Sequence, residues 1–318
     1  MSKGKLTPNT MMSASRLPGL LGHSKYSTPN DELTLSVKAI EGYEPEPLEI
    51  EAADWGNRFE LHILNKSCEV LGLDDFNLDH TEAQYHANIP LCTSLDGTGF
   101  GRGRVVSTDP DKGIFVVGAD SITLDGEGVL EAKLTGQDAE DVPPLWRGPI
   151  QLQGQMLVTG ARWGAVCTLY RGTKLRIFLF ERHEPTIEAI TKACIEFDQK
   201  LTRYRDTGEI DYYPPHNSAD ANKLWPQGHD EVADLGDAGT RWAQEIIEAK
   251  QEIKDLQDLI EDRETKIKSM MQDATKGIAG RYKVTWPMRH YKPQPERVVP
   301  AKEGYSVRQS TITIKETA

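Results

Sequence analysis

The sequence has few cysteines, no long apolar run and a deficit of positive charge. Its 318 residues include four cysteines, which are scattered and form no CxxC or Cys/His spacing. This scatter argues against a zinc site or a disulfide framework and is typical of a reducing compartment. No apolar run approaches the roughly 20 residues that a membrane-spanning helix needs. The first residues also lack the apolar core of a secretory signal, so we expect a cytoplasmic protein with no membrane partner.

The charge balance is acidic and unevenly distributed. Asp and Glu number 49 against 37 Lys and Arg, which gives a formal net charge of −12 and a pI near 5.2. Residues 276–318 reverse this balance, with nine basic residues against three acidic ones. An acidic protein is a poor general coat for nucleic acid, but a nuclease needs basic residues only along one groove. A nuclease is therefore not excluded.

The apolar patterns predict an α/β protein in four parts. A disordered tail is expected at 1–12, followed by a core domain at 13–235. A long amphipathic helix should follow at 236–276 and a basic hairpin at 277–318, formed by RYKVTWP and YSVRQSTITIK. Within the core, the patterns predict two short helices at 13–38, helices at 50–71, 150–161 and 185–205, strands at 86–135, a hairpin at 165–182 and a polar loop at 206–230.

The long helix has the most regular pattern in the chain. Its apolar positions alternate in steps of four and three, and Arg263 alone breaks the series, which comprises Trp242, Ile246, Ala249, Ile253, Leu256, Ile260, Arg263, Ile267 and Met270. Such spacing is typical of a coiled coil or an antiparallel helix pair. Two readings stay open: a helix that packs on its own domain, and a coiled coil that joins subunits.

Four charged residues form the most informative constellation. Asp96 follows an apolar strand, Glu60 lies on the preceding helix, and Glu131 and Lys133 share one face of a strand because side chains alternate along it. Apolar neighbours indicate that this strand is buried, where a carboxylate and an ammonium are costly unless they are paired or bind metal. Carboxylates and the intervening Ala132 carbonyl are hard oxygen ligands that suit Mg²⁺. Taken alone, the same triplet also fits a turn aspartate and a surface Glu–Lys pair.

The context of these residues resembles a known family over residues 13–180 and again over the C-terminal helix and hairpin. The sequence is similar to the lambda-type phage exonucleases, the YqaJ-like nucleases of the PD-(D/E)XK superfamily. The matching segments are MSASRLPGLLGHSKYSTP, WGNRFE, SLDG, VLEAK and QLQGQMLVTG, which occur in the order of the family's motifs. Leu95 stands where the family usually has proline, a position that shapes the backbone and supplies no ligand.

The resemblance implies a restriction-endonuclease-like fold, with a central mixed sheet flanked by helices. It implies catalytic roles for Glu60, Asp96, Glu131, Lys133 and Gln151, with metal held by Asp96, Glu131, Glu60 and the Ala132 carbonyl. Ser13, Ser15 and Arg16 stand at a predicted helix start, where they suit a DNA phosphate or, for the serines, an ordinary helix cap. The resemblance favours the phosphate role, above all for Ser15.

The function implied by the resemblance is Mg²⁺-dependent degradation of linear duplex DNA, with Mn²⁺ as a substitute. The family degrades 5′→3′ and leaves 3′ overhangs for phage-type recombination, often as a ring-shaped trimer that works with a single-strand annealing protein. Two alternatives remain. One is an endonuclease or single-strand nuclease of the same fold in replication or repair. The other is a non-enzymatic scaffold that binds partners.

Overall fold

The computed structural model describes residues 6–43 and 51–289 of the chain. The chain divides into two compact units, Met1–Ala221 and Asn222–Ala318. The first contains the sheets that carry the predicted site, and the second contains the long helix and a small hairpin. In the described ranges, no helix combines the length and apolar character that crossing a membrane requires.

Seven α-helices and a short 3₁₀ turn are present in the described residues. The 3₁₀ turn spans Ala14–Arg16, and the helices are α1 (Leu17–Leu20), α2 (Pro29–Ile40), α3 (Glu51–Leu71), α4 (Pro149–Thr159), α5 (Glu184–Thr207), α6 (Ser218–Leu224) and α7 (Gly236–Met271). The start of α2 illustrates local control by sequence, because Thr28 and Asp31 form a reciprocal capping box around Pro29.

Thirteen strands accompany these helices in the same residues. They are β1 (Met12–Ser13), β2 (Phe76–Asn77), β3 (Gln84–Tyr85), β4 (Leu91–Thr93), β5 (Gly97–Phe100), β6 (Arg104–Ser107), β7 (Ile114–Val116), β8 (Ser121–Leu124), β9 (Glu127–Thr135), β10 (Trp163–Tyr170), β11 (Lys174–Glu181), β12 (Lys276–Ala279) and β13 (Tyr282–Thr285).

Six of these strands form a central mixed sheet in the order β2-β5-β9-β10-β11-β7. Strand β9 runs antiparallel to β5 and parallel to β10, and β10 and β11 form the predicted hairpin. The predicted architecture of a mixed sheet flanked by helices, with a long C-terminal helix and a hairpin, is confirmed.

The two faces of the sheet are covered by different helices. On one face, Leu64 and Cys68 of α3 pack with Leu130 and Cys167. On the other face, Leu152 and Met156 of α4 pack with sheet residues that include Val166. Because residues alternate along β9, Leu130 faces α3 while Glu131 and Lys133 face α4. The packing of α4 therefore decides what surrounds the predicted catalytic pair.

The N-terminal segment differs from its prediction. Residues 6–12 are described, and Thr7, Asn9 and Met12 among them are buried. Met12–Ser13 pairs in parallel with Leu91 and Cys92 of β4. The prediction of a disordered tail is therefore wrong for residues 6–12, because an apolar methionine and a strand pairing tie this segment to the core.

Two further regions refine the predictions. The polar segment 206–230 contains the helix α6, whose Asp220 is buried and accepts hydrogen bonds from Thr28 and Asn30. In the second unit, β13 pairs with β12. The segment YSVRQSTITIK, which was predicted to pair with RYKVTWP, lies outside the described residues. The predicted long helix is present as Gly236–Met271. The four-part division of the chain remains a prediction.

Candidate active site

The site begins where the pairing of β5 with β9 ends. The last pair in this register is Gly97 with Leu130, and Asp96 comes immediately before it. Beyond this point the backbone N–H of Ala132 has no strand partner on the β5 side among the described residues, and it donates instead to Asp96 Oδ2 at 2.9 Å. The parting of the two strands therefore fixes Asp96 against the exposed edge of β9.

Glu131 and Lys133 form a close ion pair on the face of β9 that α4 covers. Lys133 Nζ donates to Glu131 Oε1 at 2.5 Å. The Glu131 side chain is only 2% exposed, whereas the Lys133 side chain is 28% exposed. The prediction that these two residues share a face is confirmed, and the pairing answers the cost of burying the carboxylate.

Two glutamines of α4 hold this pair in place. Lys133 Nζ also donates to Gln151 Oε1 at 3.0 Å, and Gln155 Nε2 donates to Glu131 Oε2 at 2.6 Å. The two glutamines are four residues apart, so they lie on the same side of the helix. The structure thus places Gln151 beside the site, as predicted, and adds Gln155.

Gln155 is a residue that the sequence interpretation missed. It is completely buried, and within the described residues its Oε1 has no hydrogen-bond partner. The sequence signal was the repeat of glutamine four positions after Gln151 on a predicted helix. That signal has meaning only once the helix is known to pack on the face of β9 that bears Glu131.

The electrostatics of the site centre on Asp96. Burial is the largest cause that raises the pKa of its carboxyl, and the charges of Glu131 and Glu60 raise it further. Lys133 and the Ala132 N–H oppose these effects, but the pKa remains well above its usual range. Burial lowers the pKa of Lys133, but the carboxylates of Glu131, Asp96 and Glu60 outweigh it, so the net pKa is raised. These carboxylates therefore stabilise the charged form of Lys133.

A cleft of about 830 Å³ borders Asp96. Glu60 of α3 lines the same cleft, which brings together two of the predicted acidic residues. Its other lining residues are mostly polar and comprise Asp54, Asn57, Arg58, Leu61, Asn65, Phe76, Asn77, Leu78 and Asp79. The predicted acidic residue on the preceding helix thus shares this cleft with Asp96.

The carboxylates fit a divalent cation in charge and in chemistry. Asp96 is destabilised as an anion by burial and by the charges of Glu131 and Glu60, and a cation between these carboxylates would offset both effects. Carboxylate oxygens are the hard ligands that Mg²⁺ prefers. Within residues 6–43 and 51–289, however, no three His, Cys, Asp or Glu side chains already stand in a ligating cluster. Glu131 in particular is held by Lys133 and Gln155 and would have to share its oxygens.

The three residues predicted to bind phosphate have different surroundings. Ser15 is exposed and lines a cavity of about 490 Å³ together with Lys133 and Gln151. Ser13 is buried, with its Oγ 3.2 Å from that of Ser15, and it makes no side-chain cap bond. Ser15 is thus the serine of this pair that can reach a ligand beside Lys133.

Arg16 is buried and hydrogen-bonded within the protein, so its side chain is not placed to contact a phosphate. It is 8% exposed, and its guanidinium donates to Glu32 Oε2 and Ser36 Oγ. It also donates to the backbone carbonyls of Asn9, Met11 and Glu32. All three guanidinium nitrogens are therefore engaged in holding the N-terminal segment on α2, and we assign Arg16 to the fold.

Together these features describe one site in an α/β protein. A buried Glu–Lys pair and an adjacent aspartate lie where two strands of the sheet separate, beside a polar cleft. This arrangement can bind a divalent cation and an anionic substrate at the same edge.

Comparison with known proteins supports the predicted resemblance in sequence. The chain is 23% identical over 193 residues to the uncharacterized protein YqaJ of Bacillus subtilis (strain 168), a match that covers 58% of this chain. The chain spans 60% of the length of that curated relative. No family model matches the sequence.

Solved structures with a similar fold include two exonucleases. An alkaline exonuclease (LHK-Exo) from Laribacter hongkongensis is 16% identical, with a TM-score of 0.43 over 68% of this chain and 96% of that one. A phage-related exonuclease from Haemophilus somnus 129PT is 13% identical, with a TM-score of 0.37 over 62% and 96% of the two chains. At these identities and TM-scores, the likeness assigns no activity to this chain.

Proposed function

We propose that this chain is a metal-dependent deoxyribonuclease that hydrolyses phosphodiester bonds at the edge of β9. The observation that carries the proposal is the grouping of Asp96, Glu131 and Lys133 beside an open cleft. Buried like charges that the protein does not neutralise cost folding free energy. Such groups are therefore found more often at binding and catalytic sites than elsewhere. The sequence resemblance to YqaJ-like nucleases supports the same assignment.

Asp96 and Glu131 are the residues that would hold a divalent metal, with the Ala132 carbonyl and Glu60 as further oxygen donors. Mg²⁺ is the ion we expect, and Mn²⁺ should substitute for it because both accept carboxylate ligands. Bound there, such an ion supplies positive charge that stabilises the attacking and leaving oxygens of phosphodiester hydrolysis.

Lys133 acts in this scheme as a hydrogen-bond donor. The carboxylates around it raise its pKa, which favours the protonated form of Nζ. Its partly exposed ammonium can orient an attacking water and offset charge on the scissile phosphate. Gln151 and Gln155 fix the direction of this ammonium and of the Glu131 carboxylate.

The substrate we propose is the end of linear duplex DNA, degraded 5′→3′ to leave a 3′ single-stranded overhang for recombination. Ser15 stands in the cavity beside Lys133, where its hydroxyl can donate to a terminal phosphate. By the same resemblance, we expect a homo-oligomer, for which a ring trimer is the model, and a single-strand annealing protein as partner.

Digestion of end-labelled linear duplex with Mg²⁺ tests this function. We expect release of 5′-terminal nucleotides, loss of release with EDTA or with Asp96→Ala, and weaker release with Glu60→Ala or Gln151→Ala. A covalently closed circle of the same sequence should remain intact. Cleavage of the circle would instead favour an endonuclease of the same fold. Absence of cleavage with Mg²⁺, Mn²⁺ and other divalent ions would favour a binding scaffold.

A further inference from the structure

Helix α7 carries an apolar stripe that Arg263 alone interrupts. In the heptad frame of the stripe, the four a positions are all isoleucine: Ile246, Ile253, Ile260 and Ile267. The d positions are Trp242, Ala249, Leu256, Arg263 and Met270. The pattern persists for four heptads, which is long enough to specify a coiled coil rather than a surface helix.

Within the second unit, the described residues leave this stripe uncovered. Helix α7 has no buried residue, and Ile253, Leu256 and Ile260 at its middle are 55%, 59% and 58% exposed. A single amphipathic helix is only marginally stable in water, and most of its stability in a protein comes from packing of its apolar face. The stripe therefore calls for another helix with a matching heptad pattern.

We propose that this other helix is α7 of a second copy of the chain, bound antiparallel as a two-stranded coiled coil, and that this contact is separate from the ring trimer that the resemblance implies. Two copies related by a twofold axis present the same stripe to each other, so each surface must complement itself. The residues on the stripe and along its two flanks meet that requirement in one orientation.

Arg263 selects the orientation. In a parallel, in-register pair each d residue faces its own copy, which would bring two Arg263 side chains together inside the seam. In an antiparallel pair a positions lie beside d positions. In the register that sets Ile260 beside Leu256, Arg263 lies beside Ile253 and next to Glu252 of the second copy. The like-charge contact is replaced by an attractive one.

The flanking charges select the register. When Ile260 of one copy lies beside Leu256 of the other, Ile267 lies beside the small Ala249. In the same register Lys250 lies beside Glu264 of the second copy, and Glu252 lies beside Lys266. Twofold symmetry repeats each contact, so the seam gains four attractive pairs and no like-charge pair within α7. Flanking charges of this kind set partner choice and orientation in coiled coils.

The mass of the full-length chain in solution tests the association. We expect Ile260→Lys, in the seam, to lower the mass of the assembly at a given concentration. Thr265→Lys adds the same charge on the outer face of α7 and should leave the mass at the wild-type value. Equal masses for the two variants, or a wild-type chain that is monomeric at all concentrations, would overturn the proposal. The latter result would fit a stripe covered by the chain's own remaining residues.

Disulfide trapping tests the orientation. The four native cysteines are buried, so mild oxidation should act on introduced ones. We expect a mixture of Ala249→Cys and Ile267→Cys chains to form a mixed disulfide, whereas Ala249→Cys alone stays unlinked. A parallel pair would instead link Ala249→Cys chains to each other and give no mixed disulfide with Ile267→Cys chains. That result would contradict the antiparallel seam. Because these readouts need no DNA, they are independent of the proposed nuclease activity.

Discussion

Two ion pairs in the first unit have similar lengths and opposite surroundings. Arg16 and Glu32 lie 2.6 Å apart with both side chains 8% exposed, and Lys133 and Glu131 lie 2.5 Å apart with exposures of 28% and 2%. The first pair is closed on all sides by backbone carbonyls and Ser36. The second opens at its lysine into a cavity and has a destabilised aspartate beside it.

The difference separates a pair that serves the fold from a pair available for chemistry. Arg16 joins three parts of the chain, and every guanidinium nitrogen has a partner within the protein. Lys133 is held by one carboxylate and one amide, and its ammonium still borders the cavity that Ser15 lines. Burial alone does not indicate a functional charge, whereas incomplete neutralisation within the protein marks a candidate.

Of the changes to these two cations, the larger expected effect on cleavage is that of Lys133→Met. The variant loses the cation that orients water and offsets charge on the phosphate, so we expect the rate to fall by about 10²–10³-fold or more. Because Glu131 also loses its cation, the variant should be less stable, so its rate is compared at a temperature where it is still folded. Initial rates on linear duplex and a far-ultraviolet circular dichroism spectrum provide the measurement. A rate within a few-fold of wild type would remove Lys133 from the mechanism.

For Arg16→Met we expect the opposite result, a loss of stability with no change in cleavage. Breaking a buried pair leaves Glu32 without its cation, so we expect a loss of about 3–5 kcal/mol in the free energy of unfolding. Cleavage per folded molecule should be unchanged at a temperature where the variant is still native. Urea unfolding and initial rates are the measurements. A stable variant with impaired binding to DNA would instead return Arg16 to the phosphate site.

A smaller loss of cleavage is expected for Gln155→Leu than for Lys133→Met. Gln155→Leu removes the donor that positions Glu131, and we expect cleavage to fall by about 10–100-fold, as for other residues that orient a metal ligand. Gln153→Leu is the matched control, because Gln153 bonds the backbone of Glu181 and His183 instead. Cleavage rates and the Mg²⁺ concentration for half-maximal rate distinguish the two. Similar losses in both variants would mean that Gln155 serves only the packing of α4.

The smallest expected effect is a pH-dependent gain in stability from Asp96→Asn, measured without divalent metal. The pKa of Asp96 is raised in the folded state, so ionisation costs folding free energy above the unfolded pKa of about 4. The variant should unfold at a higher temperature than wild type at pH 7, and the difference should shrink as the pH falls toward 4. A difference that is the same at both pH values would show that charge at Asp96 is not its cause.

Much of the candidate site could be predicted from the chain alone. Strand alternation placed Glu131 and Lys133 on one face, and the motif order placed Asp96 beside them. The fold elements with strong periodicity, such as α3, α4 and the β10–β11 hairpin, are where they were expected. These features depend on residues close together in sequence, which a pattern can capture.

The parts that were missed depend on contacts between distant segments. Arg16 resembled a phosphate ligand because its partners Asn9, Glu32 and Ser36 come from separate segments that only the folded chain brings together. Gln155 went unnoticed because its role requires α4 to lie over Glu131. The pairing of β12 with β13 was not predicted, because β12 (Lys276–Ala279) is short and has no clear alternation of apolar residues.

The most direct test of the account compares two glutamates on the same strand. Glu131 and Glu127 are four residues apart on β9, but Glu131 is buried at the site whereas Glu127 is exposed. Single-turnover cleavage of linear duplex DNA should be nearly abolished in Glu131→Gln and unchanged in Glu127→Gln, with both variants folded. Wild-type cleavage by Glu131→Gln, or equal losses in the two variants, would contradict the assignment of the active site.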